Sequence, residues 1–165
     1  YTDDTDINTA IILSDGAGAT IYRKSKEEKK YISVLSSQGE KGDILTCRSG
    51  SKIEMDGKEI YKYAVTETVK NLEELLQQAK EDIDHICYIV PHQSNERIMK
   101  AIANRLDIDE RKIYMNIQQV GNTFCASIPI ALHELFSSNR LKKGDKIVLL
   151  GYGGGLNTGS ILIEI

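Results

Sequence analysis

The sequence contains no apolar run that approaches the roughly 18 residues of a membrane-spanning helix, and no secretory signal opens it. We therefore expect no membrane association and a cytoplasmic location. Cysteine is also scarce, and the three that occur are Cys47, Cys87 and Cys125. Because their odd number and their spacing fit neither a disulfide framework nor a zinc site, we expect free thiols and no bound metal.

A strong charge of one sign is absent as well. The 165 residues carry a formal net charge of -3, which gives no reason to expect a nucleic-acid partner. The composition is close to that of an average globular protein, and the length suffices for one domain with a buried core. The chain starts at Tyr1, with an apolar run at residues 11–13 soon after. This start favours a piece of a longer protein over a complete domain.

Helical periodicity is clearest over residues 58–80, where apolar side chains recur on one face. A second helix is expected over residues 94–106, with Ser94 as its N-cap. A third is expected within residues 123–139, where Pro129 either lies in the first turn or kinks the helix. These three segments predict helices that alternate with the strands of a sheet.

Strands are predicted by short apolar runs between turn-forming residues. The expected strands lie at residues 9–13, 31–35, 83–90, 113–117, 146–150 and 160–165, with a further one that runs through Ile21. The last two flank a glycine cluster and resemble a hairpin with an elaborated loop. Since strands and helices alternate from residue 58 onward, the sequence predicts an α/β fold with a mixed sheet flanked by helices.

Three predicted strands are followed by segments that can carry chemistry. His92 stands between a strand and a helix, where a side chain can point into the crevice at a sheet edge. Asn122 has a similar place, and Gly121 before it allows the backbone to bend. The glycine-rich residues 151–155 can direct backbone N–H groups toward an anion.

Each of these segments also has a plain structural interpretation. His92 can cap a turn, Asn122 can form an ordinary Asx turn, and the glycines can form a tight turn. A phosphate-binding loop of the G-x-x-x-x-G-K-[ST] type is absent from the sequence. In combination, however, a histidine, an asparagine and a glycine-rich loop are all usable on one thioester carbonyl. The combination therefore favours acyl-transfer chemistry.

Five short motifs in fixed order carry a resemblance to a known family. They are DGAGA at residues 15–19, VPHQSNERI at 90–98, GNT at 121–123 with ASIPIAL at 126–132, KKGD at 142–145, and GYGGGLNTGS at 151–160. Their order and spacing resemble the C-terminal half of β-ketoacyl-[acyl-carrier-protein] synthase III, over essentially the whole chain. That family has the thiolase-like fold of two similar α/β halves. The resemblance implies that residues 1–24 are the last strands of the N-terminal half and residues 25–165 the C-terminal half.

The resemblance also implies a reaction. In that family, a cysteine of the N-terminal half accepts an acyl group from coenzyme A. Malonyl-[acyl carrier protein] then loses carbon dioxide, and its carbanion attacks the acyl-cysteine in a decarboxylative Claisen condensation of fatty-acid synthesis. The nucleophile would thus lie outside this chain, which alone would be inactive. Cys125, three residues after Asn122, is interpreted as a packing residue.

The partners implied by the resemblance are acyl carrier protein, an acyl-CoA, the missing N-terminal half and a second copy in a homodimer. No cofactor is implied, since coenzyme A and phosphopantetheine thioesters are substrates. His92 and Asn122 would each donate a hydrogen bond to the malonyl thioester oxygen. The Gly154 N–H would contribute to a second oxyanion hole at the acyl-cysteine.

Further positions match the family one at a time. Positions that line the tunnel for pantetheine and coenzyme A are matched by Gly57, Tyr61 and Asn95. Basic positions near the tunnel mouth are matched by Lys62, Arg97 and Arg105. These basic side chains would pair with the acidic helix of acyl carrier protein, and the alternative is that they are solvated surface charges.

Several departures from the family pattern leave the starter acyl group open. Ile7 stands where an arginine that contacts coenzyme A is frequent, and Phe124 with Cys125 replaces small residues. Leu156 and Asn157 stand where an aromatic–threonine pair is common. Two other functions therefore remain open: a polyketide-type starter synthase, and a noncatalytic thiolase-like module that binds a carrier protein.

Overall fold

The fold is built on a mixed four-stranded sheet. The structure, a computed structural model, describes residues 2–3, 5–24 and 26–165. Its strands are β1 (Tyr31–Ser37), β2 (Leu45–Thr46), β3 (Glu54–Met55), β4 (Ile86–Pro91), β5 (Lys146–Gly153) and β6 (Asn157–Glu164). The sheet has the order β1-β6-β5-β4, in which β4 and β5 are parallel and the other pairs antiparallel. The short strands β2 and β3 pair separately.

Within the described residues, five α-helices lie between and beside these strands. They are α1 (Ile7–Ala10), α2 (Gly57–Ala79), α3 (Glu96–Arg105), α4 (Ile117–Val120) and α5 (Ser127–Ser137). Segments of 3-10 helix occur at Gly39–Ile44, Ile83–His85, Glu110–Lys112 and Phe124–Ala126. No helix of the described residues is both long and apolar enough to cross a membrane.

The sheet carries helices on both of its faces because strand side chains alternate between them. On β5, Val148 and Leu150 belong to the apolar core beneath α2 and α3. Ile147 and Leu149 point the other way, into a second core that includes Leu135 of α5. The two cores confirm the predicted mixed sheet flanked by helices.

Helix α2 is the longest element, and its start and its packing follow from the sequence. The Asp56 side chain accepts hydrogen bonds from the backbone N–H groups of Lys58 and Glu59, as an N-cap does. In the middle of the helix, the buried Ser160 of β6 donates to Asn71 Oδ1 over 2.6 Å. This bond fixes α2 across the central strands.

The expected strand at residues 9–13 is wrong. Residues 7–10 form the single turn α1, and only Leu13 makes an isolated parallel bridge, with Asn122. The strand through Ile21 is also not formed, since residues 14–24 have no regular structure. A strand needs a neighbouring backbone to pair with. Within the described residues, the bridge between Leu13 and Asn122 is the only such pairing made by residues 9–24. The division at residue 24 remains a prediction.

The expected strand at residues 113–117 is likewise wrong. Ile113 forms one parallel bridge with Ile89 of β4, after which the chain turns into α4. Residues 83–85 form a 3-10 turn, so β4 begins only at Ile86. Apolar runs of this length do not distinguish a strand from other backbone conformations.

Two helix starts settle questions that the sequence raised. The N-cap of α3 is Asn95, whose side chain accepts from the Arg97 N–H, so the assignment of Ser94 as N-cap is wrong. Helix α5 begins at Ser127 and contains Pro129 in its first turn, where the missing N–H costs no helical hydrogen bond. The side chains of Ser94 and Ser127 are both engaged elsewhere, in the site described next.

Candidate active site

A cavity of about 480 Å³ opens at the carboxyl ends of the parallel strands β4 and β5. Open α/β sheets bind ligands at such ends. Its walls are largely apolar and include Leu13, Ile60, Ile98, Phe124 and Ile128. Polar groups reach it from three loops, through His92, Asn122 and the glycine-rich hairpin. The structure therefore brings together the three segments that the sequence analysis singled out.

His92 is held at both its backbone and its ring. Its N–H donates to the Leu150 carbonyl of β5 over 2.7 Å, which extends the parallel ladder by one residue. Its Nδ1 lies 2.7 Å from Ser127 Oγ, and its ring packs edge-on against the Tyr152 ring at a centroid distance of 5.6 Å. Burial lowers the pKa of His92 from 6.5 to about 4. The imidazole is therefore neutral at pH 7.

The Asn122 side chain is oriented by a hydrogen bond to its own loop. Its Oδ1 accepts from the Phe124 backbone N–H over 3.0 Å, so the amide Nδ2 carries the donors that remain. The Asn122 backbone is bonded on both sides, to the Ile12 carbonyl and from the Ser14 N–H. The segment before Asp15 thus anchors the asparagine instead of joining the sheet.

Gly121 is required immediately before Asn122. Its φ is 71°, in the left-handed region that glycine adopts without steric cost. A Cβ at this position would lie 2.2 Å from Ser14 Oγ. The expectation that a glycine bends the backbone here is confirmed, because both the dihedral angle and the close approach exclude other residues.

The glycine-rich segment forms the tight turn between β5 and β6. Gly153 pairs with Asn157, and only residues 154–156 separate the two strands, so the expected elaborated loop is absent. The Gly154 carbonyl accepts from Asn157 Nδ2 over 2.7 Å. Gly153 and Gly154 line the cavity, and the turn therefore presents backbone to a ligand instead of side chains.

The predicted tunnel residues are placed unequally. Gly57, at the start of α2, and Asn95, the N-cap of α3, both line the cavity. Tyr61 does not line it, and its side chain is exposed on α2. Its assignment to the tunnel stays a prediction.

The three predicted docking residues are all exposed on α2 and α3. Arg105 approaches Thr66 of α2 with its guanidinium 3.5 Å from the hydroxyl, and Lys62 lies one turn before Thr66. Arg97 lies in the first turn of α3, beside the cavity residue Asn95. The structure therefore places the three positive charges on two adjacent helices. Arg97 is the one next to the cavity.

Cys125 is exposed and lines the cavity, so its interpretation as a packing residue is wrong. It lies in the 3-10 turn that connects Asn122 to α5, and this turn keeps its side chain at the surface. Burial and the neighbouring Asp145 raise the pKa of the Cys87 thiol, while Cys47 is exposed. Among the described residues, no cluster of histidine, cysteine and carboxylate side chains is arranged to hold a metal.

Sequence reasoning missed the residues that support the site. Gln93 is fully buried, with its amide nitrogen bonded to the Pro91 and Tyr114 carbonyls and its oxygen to the Asn116 N–H. It therefore fastens the His92 loop to the segment that leads toward Asn122. A polar residue beside a histidine gives no sequence signal of such burial.

A second supporting contact joins Ser94 to Tyr152. Their hydroxyls lie 2.5 Å apart, and burial raises the pKa of Tyr152 to about 12. The phenol therefore stays protonated and acts as a hydrogen-bonding group. The contact holds the ring that packs against His92.

Residues 76–165 match the family described as 3-oxoacyl-[acyl-carrier-protein (ACP)] synthase III C terminal. The chain belongs to this family. It is 41% identical over 181 residues to the β-ketoacyl-[acyl-carrier-protein] synthase III of Clostridium tetani, covering 96% of this chain and 54% of that protein. The chain therefore spans about half the length of the curated relatives it matches.

Solved structures show the same relationship. A 3-oxoacyl-[acyl-carrier-protein] synthase III from Aquifex aeolicus is similar with a TM-score of 0.82 and 34% identity, covering 86% of this chain and 46% of that one. One from Thermus thermophilus gives a TM-score of 0.85 with 26% identity, covering 97% and 54%. The expected thiolase-like half is confirmed. The matched residues 76–165 include His92, Asn122 and Gly154, whereas Gly57 and Tyr61, which are predicted to line the tunnel, precede them.

Proposed function

We propose that this chain is the C-terminal catalytic portion of a β-ketoacyl-[acyl-carrier-protein] synthase III. The complete protein would condense an acyl-CoA starter with malonyl-[acyl carrier protein]. The observation that carries the proposal is the arrangement of His92 and Asn122 around one cavity. Each has one polar atom bonded to the protein, through Ser127 and Phe124 respectively, and each is left with a nitrogen that can donate to a ligand.

The role of these donors follows from where charge develops. When the malonyl thioester loses carbon dioxide, the electron pair of the broken C–C bond delocalises onto the thioester oxygen. His92 Nε2–H and Asn122 Nδ2–H would each donate a hydrogen bond to that oxygen. A neutral histidine suits this role, since it retains one N–H donor without needing a proton from solvent. Loss of one such donor typically lowers the rate by roughly 10²–10³.

The second half of the reaction takes place on an acyl-cysteine that lies outside this chain. The carbanion attacks the acyl carbonyl, its oxygen becomes negative, and the C–S bond breaks to release the cysteine thiolate and the β-ketoacyl product. The Gly154 N–H would stabilise that oxygen, because the hairpin turn brings the exposed Gly154 backbone to the cavity. Coenzyme A and phosphopantetheine thioesters enter as substrates, and no resident cofactor takes part.

The proposed partners fit the surfaces of the chain. Lys62, Arg97 and Arg105 would pair with acidic groups of acyl carrier protein at the mouth of a tunnel lined by Gly57, Tyr61 and Asn95. Apolar side chains are strongly exposed at Ile11 (75%), Ile21 (95%) and Leu35 (81%), as expected of apolar surface that another protein segment covers. We assign that cover to the half that carries the nucleophile, in a cytoplasmic homodimer.

A polyketide-type starter synthase is the second candidate. It is favoured by Phe124, a bulky residue in the cavity wall where φ is 53°, a conformation that is an outlier for such a side chain. Phe124 and the neighbouring Cys125 reshape the space beside Asn122, so the starter differs from that of the usual family member under this alternative. The donor pair and the decarboxylation step are the same in both.

The deciding experiment measures decarboxylation of radiolabelled malonyl-[acyl carrier protein] by the complete protein. His92→Ala and Asn122→Ala should each lose roughly 10²–10³ in rate, while mass spectrometry still detects acylation of the cysteine. His133→Ala and Asn104→Ala are matched controls, since both side chains are exposed and lie outside the cavity. Unchanged condensation in the two cavity variants would contradict the roles assigned to His92 and Asn122. A wild-type protein that binds carrier protein without decarboxylating the malonyl thioester would instead indicate the noncatalytic module.

A further inference from the structure

Ser127 occupies the point where the His92 loop meets the segment that carries Asn122. It is the first residue of α5 and is fully buried. Its Oγ lies 2.7 Å from His92 Nδ1 and 3.3 Å from the Gln93 backbone nitrogen. The N-cap of this helix is Ala126, so the Ser127 hydroxyl does not serve as its cap. The hydroxyl is committed to the histidine loop instead.

The hydrogen atoms around this hydroxyl can be assigned from its two contacts. The Gln93 N–H can only donate, so Ser127 Oγ accepts from it. The hydroxyl hydrogen then needs an acceptor, and among the described residues the contact that offers one is His92 Nδ1. If Nδ1 carried the hydrogen instead, the oxygen would accept two N–H groups and a fully buried O–H would have no partner, which is costly.

The arrangement in which the buried Ser127 hydroxyl has an acceptor selects one tautomer of His92. Nδ1 accepts from Ser127, so the ring hydrogen resides on Nε2, the nitrogen without a partner in the described part of the chain. The same serine is joined to Asn122 through the 3-10 turn Phe124–Ala126. One hydroxyl therefore determines which histidine nitrogen donates and also links the two donor loops.

We propose that Ser127 is a positioning residue that holds His92 in its Nε2–H tautomer and sets the spacing of the His92 and Asn122 donors. The tautomer itself is a property of the fold. Its catalytic consequence rests on the proposed function, because only a reaction that needs an Nε2–H donor would depend on it.

The test reads the tautomer directly, in the complete protein labelled with ¹⁵N-histidine. Two-bond ¹⁵N–¹H correlation spectra at pH 7 should show His92 with Nε2 protonated and Nδ1 unprotonated. Ser127→Ala should convert this signal to a mixture of both tautomers and lower the decarboxylation rate about 10–100-fold, with KM little changed. Ser127→Thr retains a hydroxyl and should restore the wild-type tautomer.

Ser160→Ala is the matched control, because Ser160 is also fully buried but bonds to Asn71 of α2, away from the cavity. It should leave the His92 signal unchanged. An unchanged tautomer in folded Ser127→Ala would overturn the inference, as would an equal change in Ser160→Ala. If the tautomer shifts but the wild-type protein does not decarboxylate malonyl thioesters, the positioning role stands and the proposed function fails.

Discussion

Asn122 Oδ1 accepts a hydrogen bond from the Phe124 backbone N–H over 3.0 Å, so one end of the amide orients the side chain and the other end is left to donate. The two ends can be separated by substitution. Asn122→Asp keeps an oxygen for Phe124 but has no N–H, whereas Asn122→Ala removes both.

We therefore expect Asn122→Asp to retain a thermal midpoint near that of the wild type while losing at least roughly 10²–10³ in malonyl decarboxylation. Asn122→Ala should lose both activity and some stability. Calorimetry and release of labelled carbon dioxide measure the two effects. Full activity in the aspartate variant would show that Nδ2 is not a donor to the reaction.

The buried state of His92 predicts how acid affects the fold. Its pKa is about 4 in the folded protein against 6.5 for an unperturbed histidine, so the unfolded chain binds more protons between these values. The free energy of unfolding should therefore fall as pH drops from about 6.5 toward 4, by up to about 3 kcal/mol from this one residue.

Denaturant titrations at a series of pH values measure that loss, and the wild-type curve is compared with that of His92→Gln. The glutamine variant should lack the His92 contribution and depend less on pH in this window. His133→Gln, at an exposed position on α5, is the control and should behave as the wild type does. Parallel curves for all three proteins would contradict the assignment of a depressed pKa.

Glu81 predicts a second acid-dependent loss at lower pH. Hydrogen bonds from Lys146, at 2.8 Å, and from Lys30 lower its pKa from 4.5 to about 2. Its contribution to stability should thus be complete above about pH 4.5 and disappear as pH falls toward 2. Glu81→Gln should lower the free energy of unfolding by about 1.5–3 kcal/mol at pH 7.

The control for Glu81 is a pair on the surface. Lys100 and Glu96 form an i,i+4 pair on α3 with both side chains well exposed, and exposed pairs of this kind contribute little to stability. Lys100→Ala should therefore cost much less than Glu81→Gln in urea unfolding. Equal losses in the free energy of unfolding would show that the contacts of Glu81 with Lys146 and Lys30 are no stronger than an ordinary surface pair.

Cys125 offers a sharp test of where the nucleophile lies. It is exposed and lines the cavity close to Asn122, so it is the cysteine of this chain that acyl-CoA would reach. If the nucleophile belongs to the other half of the protein, Cys125→Ala should be acylated as the wild type is. Peptide mapping of the acyl-enzyme should find no acyl group on Cys125, and its presence there would reverse the assignment.

The Ser94–Tyr152 contact predicts a pair of coupled substitutions. Tyr152→Phe keeps the ring against His92 but leaves the buried Ser94 without its 2.5 Å partner. It should lower the free energy of unfolding by about 0.5–1.5 kcal/mol while decarboxylation changes little. Ser94→Ala should lower the free energy of unfolding by less when it is added to Tyr152→Phe than when it is made in the wild-type protein, since the two residues act as a pair. Strict additivity in this cycle would argue against the contact.

Local patterns were sufficient for much of the fold. The periodicity of residues 58–80 and the apolar runs near residues 31, 146 and 160 correspond to α2, β1, β5 and β6. These elements are buried on one face or in a continuous run, and the order of apolar residues in the sequence indicates burial of that kind. The segments at residues 9–13 and 113–117 are equally apolar, yet each forms a single bridge. Strand pairing depends on which backbone lies alongside, and no local pattern contains that information.

The same division applies to the site. The sequence by itself determined that His92 and a glycine turn follow strands and that the motifs resemble one family, but it placed Asn122 after a strand where the structure has helix α4. Only the tertiary structure decided that Ser127 bonds to His92 Nδ1, that Gln93 is buried between two loops and that Cys125 faces the cavity. The physical reason is that a side chain's hydrogen-bond partners are far from it in sequence. They are chosen when the sheet and α5 pack, because most buried donors must then find an acceptor.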